Sequence, residues 1–154
     1  MAGRGSEAPP AASRLRLPAE VRREIELDCA ARRPEEACGL LIGWRVGLST
    51  EVVRASAERN VERVDRTRRY EIAPERVLRV TKRARSEGLD VVGVYHSHPD
   101  GSARPSDADR ARAWPRLSYL IVGRGPGGRP ELRSWQLGPA PSNWHEELVE
   151  WTAG

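Results

Sequence analysis

The sequence predicts an α/β fold, a single domain in which a mixed β-sheet is covered by helices. Three observations carry this. Apolar runs of strand length alternate along the chain with segments whose apolar residues recur every three or four positions, the pattern of a sheet with helices packed on it. The chain has 154 residues, the size of one ordinary domain and too short for two comfortable ones. No segment approaches the roughly 18 consecutive apolar residues that cross a bilayer, so a soluble protein without membrane contact is expected.

Each element has its own signal. The opening MAGRGSEAPPAASR lacks the apolar core of a signal peptide and is rich in Ala, Gly, Pro and Ser. Residues 1–14 therefore read as a disordered leader, and the cytoplasm as the location. Pro18 suits a first helical position, and Val21, Ile25 and Cys29 recur every four residues, giving a helix to about Ala31. ACGLLIGW reads as a buried strand, TEVVRASA as a second and RRYEI as a short third. Pro74 opens another helix with Val77, Val80 and Ala84 on one face, and Gly88 ends it. DVVGVYHSH is a continuous apolar strand with histidines at its end. A helix starts near Ser106, the strand LSYLIV follows, and GRGPGGRP turns the chain into the strand ELRSWQL. Residues 139–154 form a tail outside the domain, read as a short helix presenting Trp144, Leu148 and Trp151.

Composition narrows the function. Cys29 and Cys38 are the only cysteines and form no C-x-x-C pair, so neither a disulfide framework nor a thiolate zinc cage is encoded. The net charge of +4 comes mainly from arginine interspersed with acidic residues. The densest patch, Arg63 to Arg69, has no interleaved aromatic residues to stack on bases, so no nucleic-acid partner is expected. With no phenylalanine in the chain, the five tryptophans are expected to supply core bulk, with Trp144 and Trp151 as the alternative docking surface. His145 reads as a surface residue.

The remaining histidines, His96 and His98, stand one residue apart in YHSHPDGSARPSDAD. In a strand, residues i and i+2 point to the same side about 6.5 to 7 Å apart, so both imidazoles can converge on one ion while Ser97 faces away. Pro99 then stops the strand. Two imidazoles and a carboxylate are a known catalytic zinc set. Asp100, Asp107 and Asp109 all qualify for the carboxylate, and spacing does not choose among them. Ser106 with Asp109 also satisfies a helix capping box, which accounts for both residues without a metal and is compatible with one.

The stretch HSHPDGSARPSDAD matches, position for position, the H-x-H-P, six residues, S-x-x-D signature of the JAMM metallopeptidases, also called the MPN+ domain. EEACGLLIG resembles that family's first motif, a glutamate three residues before a glycine that opens an apolar strand. The likeness continues through Asn60, YEI and Pro74, where the family usually has phenylalanine in place of Tyr70. It runs from about Leu15 to Leu137, and residues 15–138 are taken as the domain. The resemblance implies a mixed, curved sheet flanked by helices, of cytidine-deaminase-like type. It implies one Zn²⁺ per chain held by His96, His98 and Asp109 with water in the fourth place. It also implies Glu36 as general base and Ser106 as the hydroxyl that helps stabilise the oxyanion. The E-x-x-G spacing selects Glu36 over Glu35, and Cys38 reads as a small buried hydrophobe.

JAMM enzymes of this kind hydrolyse the amide bond after the C-terminal Gly-Gly of ubiquitin-like proteins. The short connections here leave little room for the insertions of eukaryotic deubiquitinating members, which points to the small stand-alone prokaryotic form. The resemblance then implies a ubiquitin-like or sulfur-carrier partner with a Gly-Gly tail, from which a C-terminal cysteine or short extension is released. An isopeptidase removing such tags from lysine and a non-catalytic scaffold are the alternatives. A narrow groove for the tail is expected, with a free sheet edge available to pair with it.

Overall fold

The computed structural model describes residues 13–138 and 143–153. The described elements run β1 (Arg14–Pro18), α1 (Ala19–Arg32), β2 (Cys38–Val46), β3 (Ser49–Glu58), α2 (Pro74–Ser86), β4 (Asp90–Ser97), α3 (Asp107–Arg112), β5 (Ser118–Arg124), β6 (Pro130–Leu137) and β7 (Trp144–Thr152). The leader expected over residues 1–14 lies outside the described residues except for Ser13 and Arg14, and Arg14 already belongs to β1. No described helix is long and apolar enough to cross a membrane.

The sheet is mixed and curves until it closes, in the order β1-β3-β2-β4-β5-β6-β7 with β7 back on β1. β4 runs antiparallel to β2 and parallel to β5, so it has a neighbour on each side. Its middle is buried on both faces, which is why it reads as a continuous apolar run rather than an alternating one. Tyr95 joins Leu41 and Leu120 in a core completed by Val21, Ile25 and Cys29 of α1. Their sequence neighbours Val94, Leu40 and Tyr119 point the other way, toward Ile72 and toward Val77 and Val80 of α2. Gly39 is required where the Tyr95 ring crosses β2, since a Cβ there would run into the ring and the Ser56 carbonyl. Tyr95 is anchored beyond it by donating its hydroxyl to Asp28 of α1 (2.7 Å).

Three expectations are corrected. The tail is not a helix outside the domain: residues 144–152 form β7, antiparallel to β6 and parallel to β1. Trp144, Leu148 and Trp151 fit helical spacing, but the open backbone groups of β1 and β6 are satisfied only if this segment is extended between them. RRYEI is not a strand. Its Glu71 instead accepts from the Val61 N–H (2.9 Å) and donates its own N–H to the Asn60 side chain (3.2 Å), so the connection folds on itself. The tryptophans are mostly not core: Trp135 is buried, Trp144 packs edge-on against Tyr119, and Trp44, Trp114 and Trp151 are exposed. Trp151 instead carries the Arg22 guanidinium 3.9 Å from its ring centre, tying β7 to α1.

β7 also brings a buried carboxylate into the barrel. Glu147 accepts from the hydroxyls of Ser134 (2.6 Å) and Ser118 (3.2 Å) and from the Gln136 amide (2.7 Å), and Ser118 lies 3.2 Å from the Thr50 hydroxyl. Burial pushes this carboxyl up, opposed by the three donors and by Arg45. Glu147→Ala removes the shared acceptor and leaves buried hydroxyls unpaired. We expect it to lower the unfolding free energy by about 3 kcal/mol in denaturant titration, whereas Glu146→Ala at the exposed neighbouring position should change it by less than about 1 kcal/mol.

Candidate functional site

The register of β2 on β4 builds the site. Cys38 lies opposite His96, so the chain entering β2 brings Glu36 beside the histidine pair. The Glu36 N–H donates to the Arg66 carbonyl (2.7 Å), and the Ala37 N–H donates to the Ser97 hydroxyl (2.8 Å). Ser97 thus faces away from the histidines, as the strand period requires. The His98 N–H extends the pairing to the Val122 carbonyl (2.8 Å) before Pro99 ends it.

The third group arrives on α3. Ser106 accepts from the Asp109 N–H (3.1 Å), and the Asp109 carboxylate accepts from the Ser106 N–H (2.8 Å), a complete capping box. Of the three aspartates left open by spacing, this one alone reaches the histidines. Asp100 is on the surface beside Arg33 (3.4 Å), and Asp107 is exposed in the first turn of α3.

His96 Nε2 and His98 Nε2 lie 3.1 Å apart; Asp109 Oδ1 is 3.1 Å from the first and Oδ2 is 3.1 Å from the second. The ligand atoms of the three residues all fall within 4.8 Å of one another. His98 Nδ1 is 2.8 Å from the Ser102 carbonyl, so Nδ1 carries the hydrogen and Nε2 of the neutral ring presents its lone pair to the cluster. Burial pushes His96 toward the neutral imidazole. For His98 burial works the same way but is outweighed by hydrogen bonds with Asp109 and Ser102, which raise it. Burial alone would raise Asp109, but the two imidazoles and the Ser106 N–H hold it well below the usual carboxylate range. Four ligand atoms therefore face one point in a site largely closed to solvent. A divalent cation satisfies this arrangement, and a two-imidazole, one-carboxylate set suits zinc.

Glu36 is 3 % exposed, with Oε1 3.9 Å from His98 Nε2 and Oε2 without a hydrogen-bond partner. Burial pushes its carboxyl up to about 8, against the pull of His98. A carboxyl tuned near neutrality can both take and return a proton. Ser106 uses its oxygen as acceptor in the cap, which leaves its O–H hydrogen free to donate. Glu35 is directed elsewhere, 3.9 Å from Arg66 on the surface, and Cys38 is fully buried with its thiol pushed up to about 12 by burial. His145 is exposed on β7, away from the cluster.

Two features escape the sequence. The Tyr70 ring stacks on His96 with centroids 4.5 Å apart; the expected strand over residues 68–72 hid its approach, although its place directly after the basic patch and four residues before a helix-opening proline marks a turn. A groove of about 880 Å³ runs past Tyr70 and Asp109, lined by apolar residues such as Leu40, Ile72, Val77, Val94 and Leu117, with Trp114, 70 % exposed, at its rim. The free sheet edge expected beside the site is not present, because every described strand has two neighbours in the closed sheet.

Residues 18–138 match the family model for prokaryotic homologs of the JAB domain. The chain is 36 % identical over 132 residues to a desampylase of Haloferax volcanii, covering 80 % of this chain and 88 % of that one. It is 34 % identical over 109 residues to a probable TtuB-protein conjugate cleaving protease of Thermus thermophilus, covering 71 % and 70 %. A solution structure of a protein from Desulfitobacterium hafniense superposes with a TM-score of 0.80 at 29 % identity over 91 % of this chain and 94 % of that one. Another, from Salinibacter ruber, gives 0.64 at 34 % identity over 89 % and 90 %.

Titration of the metal-free protein with Zn²⁺ should give one ion per chain with release of protons. Asp109→Asn keeps a side chain able to cap α3 but loses the charge; it should weaken zinc binding by more than about 100-fold with little change in melting temperature, while Asp107→Asn should leave zinc binding unaltered.

Proposed function

Because the chain belongs to the family of prokaryotic homologs of the JAB domain, we propose that it is a zinc metallopeptidase that hydrolyses the amide bond after the C-terminal Gly-Gly of a ubiquitin-like protein. The observation that carries this reading is the convergence of His96, His98 and Asp109 on one point with the buried carboxylate of Glu36, unpartnered at Oε2, beside it. His96, His98 and Asp109 would hold the ion. When bound, zinc supplies Lewis acidity that polarises an amide carbonyl and acidifies water.

The chain's own residues supply the rest. Glu36, close to His98 and not a member of the ligand cluster, takes the proton of the attacking water as the new C–O bond forms. It returns that proton to the amide nitrogen as the C–N bond breaks, so the products are the Gly-Gly carboxylate and a free amine. The Ser106 hydroxyl donates to the oxygen on which charge develops. No acyl-enzyme is required, since neither cysteine is placed to attack: both are buried with thiols pushed up to about 12. The groove beside Tyr70 and Asp109 would accept an extended tail, and residues without side chains are the ones that could pass closest to the buried His96, His98 and Asp109 cluster.

Of the two kinds of leaving group, a short C-terminal extension and the lysine of a conjugate, the name of the Thermus relative, a probable conjugate cleaving protease, supports the conjugate. The partner is then a ubiquitin-like modifier, including the sulfur-carrier kind, joined to a lysine. Intact-mass analysis of a lysine-linked conjugate and of a Gly-Gly tail extended by cysteine, incubated with the zinc-loaded protein, tests both. Cleavage after the second glycine that stops with a chelator is the expected result. Glu36→Gln should keep one zinc per chain and lose about 10²- to 10⁴-fold in kcat; an active, zinc-loaded Glu36→Gln protein would remove Glu36 from the role of general base.

A further inference from the structure

Nothing hydrogen-bonds the Glu36 carboxylate at Oε2, and its other oxygen is 3.9 Å from the nearest ring nitrogen of His98. Its direction is therefore set through its backbone. On one side the Glu36 N–H is held by Arg66 (2.7 Å); on the other its carbonyl is held by a side chain, the amide of Asn60, whose Nδ2 donates to it at 3.1 Å.

Asn60 is 4 % exposed and makes three further hydrogen bonds. Nδ2 also donates to the Arg69 carbonyl (3.0 Å), and Oδ1 accepts from the N–H groups of Glu62 (3.1 Å) and Glu71 (3.2 Å). A primary amide has two donor hydrogens and one oxygen with two lone pairs, so the whole capacity of the group is used. The four partners lead to three parts of the site. Glu36 is the first. Arg69 and Glu71 flank Tyr70, whose ring lies on His96. Glu62 accepts from Arg112 of α3 (3.3 Å), the helix that carries Asp109 in its first turn.

We propose that Asn60 is a positioning residue of this site, aiming the Glu36 carboxylate through its carbonyl and holding the Tyr70 loop against His96 without touching substrate. The proposal rests on the hydrolase reading for its kinetic consequence only; the hydrogen-bond hub exists whether or not the substrate is the one named above. Asn60→Asp is nearly isosteric, keeps acceptors for Glu62 and Glu71, and removes both donors. Asn60→Ser, which is small and neutral, serves if the added charge impairs folding.

The experiment combines kinetics of the zinc-loaded variants with amide hydrogen exchange of the metal-free proteins. Asn60→Asp should retain one zinc per chain and lose about 10- to 100-fold in kcat, with KM within about twofold of the parent. Exchange in residues 33–40 and 60–72 should quicken by about tenfold or more while β5 and β6 are unchanged. In a Glu36→Gln background the same substitution should change the residual rate by less than about twofold, because the group it aims is already disabled. Equal losses in both backgrounds, or an unchanged kcat in a variant whose exchange has quickened, would overturn the proposal. Should the parent protein cleave nothing, the hydrolase reading falls by itself, and unaltered exchange in Asn60→Asp and Asn60→Ser would then overturn the hub on its own terms.

Discussion

Two imidazole nitrogens and two carboxylate oxygens, neighbouring ones 3.1 Å apart, converge in a site with little access to solvent. Such an arrangement is unfavourable unless a proton or a cation is shared among the groups, so the rest of the chain must hold in place something that would otherwise come apart. The rigidity comes from the position of β4. Like every described strand of the closed sheet it is paired on both sides, and it is fixed further by Tyr95, locked between Gly39 and Asp28 on one face, and by Val94, packed toward α2 on the other. A strand constrained in this way cannot turn its last residues, and His96 and His98 take up fixed directions at its end.

The remaining groups are fixed by devices that cost little packing. The capping box sets Asp109 on the first turn of a six-residue helix, too short to be stable alone. The helix is held in place by the cap, and Arg112 links it to Glu62. Glu36 precedes β2 by two residues and inherits its position from the β2–β4 register. Its side chain is left without a hydrogen-bond partner at one oxygen, a feature that costs stability and fits a group that must change protonation state.

The two ends of the barrel handle buried carboxylates in opposite ways. Glu147 is surrounded by three donors that match its oxygens, and it stays where the closure of β7 puts it. Glu36 and Asp109 share their surroundings with two imidazoles and a vacant oxygen lone pair, so their charges depend on what else is there. One arrangement closes a fold; the other leaves room for chemistry.

Local pattern was enough for much of this. The i, i+2 histidines, the proline after them and the Ser-x-x-Asp cap are each a property of a few consecutive residues, and the strand and helix periods that frame them are local as well. Glu36 was legible only through the resemblance to the family's first motif, whose glycine opens the apolar strand; the reason for that glycine, the Tyr95 ring across it, is not visible in sequence. Partners distant in sequence decided the rest. Which aspartate joins the histidines depends on the path of a loop rather than on residue counts. Residues 144–152 are a strand because β1 and β6, separated from them by very different distances along the chain, need hydrogen-bond partners. Tyr70 meets His96 because one asparagine folds the intervening connection. Periodicity reports the face an element buries; it carries no record of which backbone groups remain unpaired until the other elements are in place, and those groups chose the final arrangement.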